Sequence, residues 1–148
     1  FNSLYNGMPT FIHGDLQFDN ILKLEKNNFK LIDWRSDFGG LLNKGDLYYD
    51  VSKLLGGILI NYKKIKKNQF FYKNINNKIH FKVPSVKNKK LLISTIKKYC
   101  LEKKINFNKI KIIVALIFLN MSPMHKHPFD KILFCYAKIL LNKQNYEY

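Results

Sequence analysis

HGDLQFDN, residues 13–20, places a histidine, two aspartates and an asparagine in eight positions of a lysine-rich chain. Its flanks decide how it is read. Thr10–Ile12 is β-prone and leads into it, and Ile21–Leu24 leaves it as a short apolar strand. Asn27-Asn28 is a turn signal, and Phe29–Ile32 supplies a second strand, so the two strands are expected to pair as a hairpin. Asp33 stands at the end of the second strand. A hairpin brings Asn20 and Asp33 back to one end, an amide beside a carboxylate, with Asp15 a few residues away. Taken by itself the octapeptide is equally a polar turn.

Beyond Asp33 the punctuation changes. Gly39-Gly40 and Gly45 mark a loop. From Asp46 the apolar residues Leu47, Val51, Leu54, Leu55 and Ile58 recur at spacings of three and four, which predicts a helix with Asp46 or Gly45 as its N-cap. Gly56-Gly57 lies inside it and either weakens the helix or lets a neighbour approach closely. A second hairpin is expected over residues 69–83 around the Asn-rich NINN turn. Three helical segments follow Pro84, at about residues 89–103, 108–120 and 128–141, the last opening on a proline suited to a first helical turn. No repeat or linker divides the chain.

Composition bounds the answer. A chain of 148 residues suffices for one sizeable core, so residues 1–148 are expected to form a single domain. With 47% apolar and 15% aromatic residues, a disordered reading fails despite the formal charge of +16. Arg35 is the only arginine, and Asn and Ile each occur seventeen times. Lys, Asn and Ile share AT-rich codons, so base composition is an alternative source of the charge. Its distribution is more telling: residues 1–50 carry seven acids against five bases, a net of −2, and residues 51–148 carry three acids against 21 lysines, a net of +18. Acids gathered in one third of a chain repel one another, and a divalent cation offsets that. Cys100 and Cys135 are isolated, which fits reduced thiols and a cytoplasmic location. The longest apolar run, Ile112–Leu119, is eight residues, against the roughly 20 a bilayer needs, so neither a membrane span nor an anchor is expected. The chain opens at Phe1 and runs almost directly into the polar stretch, which gives the expectation of a longer protein.

Magnesium takes oxygen ligands in an octahedron, usually one or two protein carboxylates completed by phosphate oxygens and water. Asn20 and Asp33 suit that role. Asp15, held off the metal, would accept a hydrogen bond from a substrate hydroxyl and orient it for in-line attack on a γ-phosphate.

HGDLQFDNIL followed by LIDW and GDLYYD resembles the catalytic half of the aminoglycoside phosphotransferase and choline kinase family, small-molecule relatives of the protein kinases. The similarity covers about residues 11–55. An H-x-D-x-x-x-x-N alone is weak evidence; joined to I-D-W after a hairpin and G-D-x-x-x-D before an apolar helix it is strong. The resemblance implies an α+β fold, the mainly helical C-terminal lobe of a protein-kinase-like architecture with short β-hairpins around the catalytic loop. It implies a magnesium- and ATP-dependent phosphotransferase acting on a hydroxyl of a small molecule: an amino alcohol, a sugar or an aminoglycoside. Asp15 would be the catalytic aspartate, Asn20 and Asp33 the magnesium ligands, Asp50 the brace of the catalytic loop, and His13 a structural residue beneath it. The family's N-terminal lobe, with its phosphate-covering loop and ATP-anchoring lysine, is absent from these residues, so the lobe is expected in the same longer chain or in another subunit.

Other polar residues have plainer readings. Asp46 is explained by capping. Arg35 is expected to fork onto Asp37, Asp46 or Asp50, with a phosphate contact as its functional alternative. His125 and His127 have a zinc-like spacing without an evident third ligand, although Asp130 is near, and the stronger reading is an exposed loop before the last helix; the resemblance implies that this loop lines the acceptor pocket. Tyr48, Tyr49 and Phe70–Tyr72 are read as packing. Two competing functions are a truncated, non-catalytic kinase-like lobe and a basic module for a polyanion. The second predicts steep salt dependence, but nucleic acid is disfavoured because no recognition signature is present and acids surround the polar loop.

Overall fold

The polar stretch hangs between two pairs of very short strands. In this computed structural model, which describes residues 4–142, β1 (Pro9–Thr10) precedes it, and β2 (Ile21–Lys23) and β3 (Phe29–Leu31) follow as the expected antiparallel hairpin, Ile21 opposite Leu31. Lys26 and Asn27 take positive φ in the turn, which asparagine tolerates better than most residues. β1 pairs with β4 (Gly45–Asp46), Pro9 opposite Asp46, a long-range match of two residues that no local pattern announces.

Helix α1 (Leu47–Leu59) starts where the aspartate demands it. Asp46 Oδ1 accepts the N–H of Tyr48 at 3.0 Å, the expected N-cap, and also the N–H of Met8 at 3.0 Å. Its apolar face (Val51, Leu55, Ile58, Leu59) is buried. Gly56 and Gly57 are sites of close approach: a Cβ on Gly56 would stand 3.4 Å from the Phe118 ring, and one on Gly57 would stand 3.1 Å from Phe18. A short helix absent from the sequence reading, α2 (Tyr62–Lys66), comes next, with Asn61 Oδ1 accepting the N–H of Lys64 at 3.2 Å.

The second hairpin, β5 (Phe71–Ile75) and β6 (Lys78–Lys82), turns on Asn76 and Asn77, both at positive φ, the backbone of a tight hairpin turn. The three C-terminal helices fall within two residues of their expected limits: α3 (Lys89–Glu102), α4 (Phe107–Met121) and α5 (Phe129–Asn142). The described residues thus form an α+β structure of five α-helices and three separate two-stranded pairs.

α4 is the central helix, packed on α1 and α5. Ile110, Val114, Ala115 and Phe118 point into a core shared with Leu55, Ile132, Leu133 and Ala137, all at most 1% exposed. The span Phe107–Met124 is long and apolar enough by composition to cross a membrane, although only 28% of it is buried. The reason is a second apolar strip: Leu116 is exposed, and Ile113 and Ile117, half-buried at the edge of the core, join it in lining a cleft over the polar stretch. Two buried polar side chains fasten α4 to the rest. The Lys109 ammonium lies 4.2 Å from the centre of the Tyr48 ring and donates to Asn6 O, and the Tyr48 hydroxyl accepts the N–H of Asn106 at 3.1 Å.

Candidate functional site

His13 fixes the floor of the loop. It is 2% exposed, and its Nε2 lies 2.8 Å from Ile32 O. A carbonyl only accepts, so Nε2 carries the proton and Nδ1 keeps a lone pair, which accepts the N–H of Asp15 at 3.2 Å. The Trp34 ring packs against the imidazole, tilted by 32° at 4.8 Å between centroids. The imidazole therefore joins the loop to the strand end through both nitrogens.

The backbone is fixed at the same points. Arg35 N–H donates to His13 O at 3.0 Å and Ile32 N–H to Asn20 O at 3.0 Å, which sets residues 32–35 alongside the loop and Asp33 next to the Asn20 end. Asp50, one turn into α1 and 6% exposed, accepts the N–H of His13 at 2.7 Å and of Gly14 at 3.0 Å, one on each carboxylate oxygen. Gly14 is at φ +79°, and a Cβ there would stand 2.7 Å from the Arg35 Cβ, so the close crossing of loop and strand requires glycine.

Asp15 is 5% exposed and surrounded by donors. The Lys53 ammonium reaches Oδ1 at 2.6 Å. On Oδ2 converge Gln17 Nε2 at 3.0 Å, Asn20 Nδ2 at 3.3 Å and Arg35 at 3.5 Å. Burial is the largest single influence on this carboxyl and pushes its pKa up; the Lys53 hydrogen bond and charge, then the Arg35 charge and the Gln17 hydrogen bond, together outweigh it and hold the pKa below the usual aspartate value.

Asn20 is 8% exposed, and its Nδ2 also donates to Asp15 O at 2.9 Å. With the nitrogen committed to Asp15, Oδ1 accepts no hydrogen bond among the described residues. Asp33 is exposed, makes no hydrogen bond or ion pair among them, and sits at φ +61°. Aspartate, like asparagine, adopts this left-handed conformation more readily than most residues, so what sets Asp33 apart is its unpaired carboxylate. The two free groups are oxygen donors only, which fits a hard cation such as magnesium that draws its other ligands from phosphate and water. No group of three or more His, Cys, Asp or Glu side chains forms a metal site among the described residues.

Arg35 departs from expectation. Its three anticipated partners are engaged elsewhere: Asp37 Oδ1 accepts the N–H of Gly40 at 3.0 Å, Asp46 caps α1, and Asp50 holds the loop backbone. The guanidinium instead makes one contact, to Asp15, and its side chain is 62% exposed at the mouth of the cleft.

Lys53 was missed in the sequence, where it reads as one more solvated lysine. A signal was available: Asp50 and Lys53 are three apart on one helix and share a face, so a helix that turns Asp50 to the loop turns Lys53 there too.

The cleft above Asp15 has a volume of about 650 Å³, within the range of small-molecule sites. Tyr49 and Lys53 come from α1, Ile113, Leu116, Ile117 and Asn120 from α4, and His125 from the turn before α5. Burial lowers the His125 pKa from its ordinary value. His127 points elsewhere, 3.4 Å from Asp130 and against the Tyr72 ring. No family model, curated protein or solved structure matches the chain.

Proposed function

We propose that this chain is the catalytic lobe of a kinase-like phosphotransferase that moves the γ-phosphoryl group of ATP to a hydroxyl of a small molecule. The observation that carries this reading is the division of labour among four side chains on one loop and its supports. Asp50 spends both oxygens on loop N–H groups, Asp15 opens onto a cleft, Asn20 donates to Asp15 through its nitrogen, and its own oxygen and the exposed Asp33 carboxylate, one residue past the Ile32 N–H that bonds to Asn20 O, are unpaired among the described residues.

In the proposed reaction the acceptor hydroxyl binds Asp15 Oδ1, which has one donor where Oδ2 has three. The hydroxyl oxygen attacks the γ-phosphorus in line, the bond to the β-phosphate oxygen breaks with its electron pair leaving on ADP, and the hydroxyl proton passes to Asp15. A carboxylate of lowered pKa is a weak base. That is sufficient here, because phosphoryl transfer runs through a loose transition state in which orienting the nucleophile matters more than deprotonating it early. Asn20 holds Asp15 in place through Nδ2 and, with Asp33, would hold magnesium. Magnesium, when bound, neutralises charge on the phosphate oxygens.

The remaining wall of the nucleotide site would come from a further lobe, in the same longer chain or another subunit. Phe11, Trp34, Leu41 and Leu42 are 75%, 46%, 59% and 76% exposed around a second, smaller cleft and offer it an apolar seat.

Asp15→Asn in the full native chain tests the proposal. Magnesium-dependent phosphate transfer to any acceptor should fall by about 100-fold or more with the melting curve preserved. Turnover near the wild-type level in that variant sinks the assignment.

A further inference from the structure

We infer that the acceptor of this site is an anionic alcohol, one with a carboxylate or phosphate close to the reacting hydroxyl, and not a cationic amino alcohol or aminoglycoside. The inference rests on the phosphotransferase reading for the identity of the reaction, and on the charges lining the cleft for the rest.

Asp15 is the only acid lining the cleft among the described residues, against two permanent cations, Lys53 and Arg35. The Asp15 charge is already matched by Lys53 at 2.6 Å and Arg35 at 3.5 Å. A cationic acceptor entering to reach Asp15 would meet an ammonium and a guanidinium with no second carboxylate to receive its own charge. An anionic group would find both already in place.

Lys53 stands on the acceptor side of Asp15. The two carboxylate oxygens divide the surroundings: Asn20 approaches Oδ2, and Lys53 approaches Oδ1. Lys53 springs from α1, its side chain is 13% exposed, and its neighbours in the cleft include Ile113 and Ile117 of α4. Arg35 lies at the rim on the Oδ2 side, exposed enough to close over an incoming anion. The apolar α4 wall would take the carbon skeleton of the same substrate.

The test uses the full native chain with magnesium and ATP, and compares glycerate and glycerol 3-phosphate with glycerol, ethanolamine and choline. Both anions should exceed both cations in kcat/KM by about tenfold or more. Lys53→Met should raise the KM of the anions by about tenfold while the KM for ATP moves less than about twofold, and Lys53→Arg should restore most of the preference. Preference for choline or ethanolamine overturns the inference, as does a Lys53→Met effect that falls on ATP and not on the acceptor. A ligand-observed NMR titration without nucleotide reads the charge preference even when nothing is transferred. Glycerol 3-phosphate binding that exceeds choline binding and is lost in a folded Lys53→Met variant supports it; equal binding, or binding indifferent to Lys53, overturns it. Absence of magnesium-dependent transfer to every acceptor counts against the phosphotransferase reading alone.

Discussion

Asp50 receives the N–H groups of His13 and Gly14 on separate oxygens at 2.7 and 3.0 Å, so one carboxylate from α1 holds two consecutive peptides of a loop 36 and 37 residues earlier in the chain. In Asp50→Asn one oxygen becomes an NH2 facing an N–H. Loss of a charge-assisted, buried pair should lower stability by about 2–3 kcal/mol in urea denaturation. A loss under about 0.5 kcal/mol, the scale of an ordinary surface change, would show that the loop does not depend on this carboxylate.

Gly14→Ala sets two penalties on one residue. An alanine at φ +79° costs about 1–2 kcal/mol, and its Cβ meets the Arg35 side chain at 2.7 Å. The melting temperature should fall well beyond what the conformational penalty alone gives. A drop limited to that penalty would mean that residues 32–35 shift aside without cost.

Asp33→Gly should behave in the opposite way. Glycine adopts φ +61° freely, and the Asp33 carboxylate makes no hydrogen bond or ion pair among the described residues that would be lost. Stability should stay level or rise by up to about 1 kcal/mol, while magnesium affinity in the presence of ATP falls by about tenfold or more. A destabilised variant with unchanged magnesium affinity would place Asp33 among structural residues.

His125 gives a pH dependence of stability. Its folded pKa lies below the ordinary value because burial opposes the charge, so the unfolded chain binds the proton more readily. Stability from this group is complete above the ordinary histidine pKa of about 6.5 and is lost as pH falls through and below it. His125→Gln should therefore lose less melting temperature than wild type between about pH 7 and pH 5. Parallel curves would remove His125 as the source.

Local chemistry was largely legible. The first hairpin follows from two short apolar runs around Asn27-Asn28, and the second from the Asn76-Asn77 turn. α1 and the three later helices follow from apolar spacing and from the Asp46 cap. These features depend on residues within a few positions of one another. α2 escaped because it is only five residues long, and the Asn61 N–H that leads into it bonds to Pro84 O at 2.7 Å, far along the chain. Arg35 was assigned to the wrong carboxylates for a similar reason: charge tells which groups attract it, not which remain free.

For HGDLQFDN the sequence by itself determined the residue types and their order, and through the hairpin the meeting of Asn20 with the Asp33 end of the strand. Tertiary structure alone decided which atoms meet: the Ile32 carbonyl on His13, the N–H groups of His13 and Gly14 on Asp50, and Lys53 on Asp15. The physical reason is reach. Turn and helix preferences act over a few residues, whereas the partner of a buried charge is whichever group the packing of α1 brings within hydrogen-bond distance.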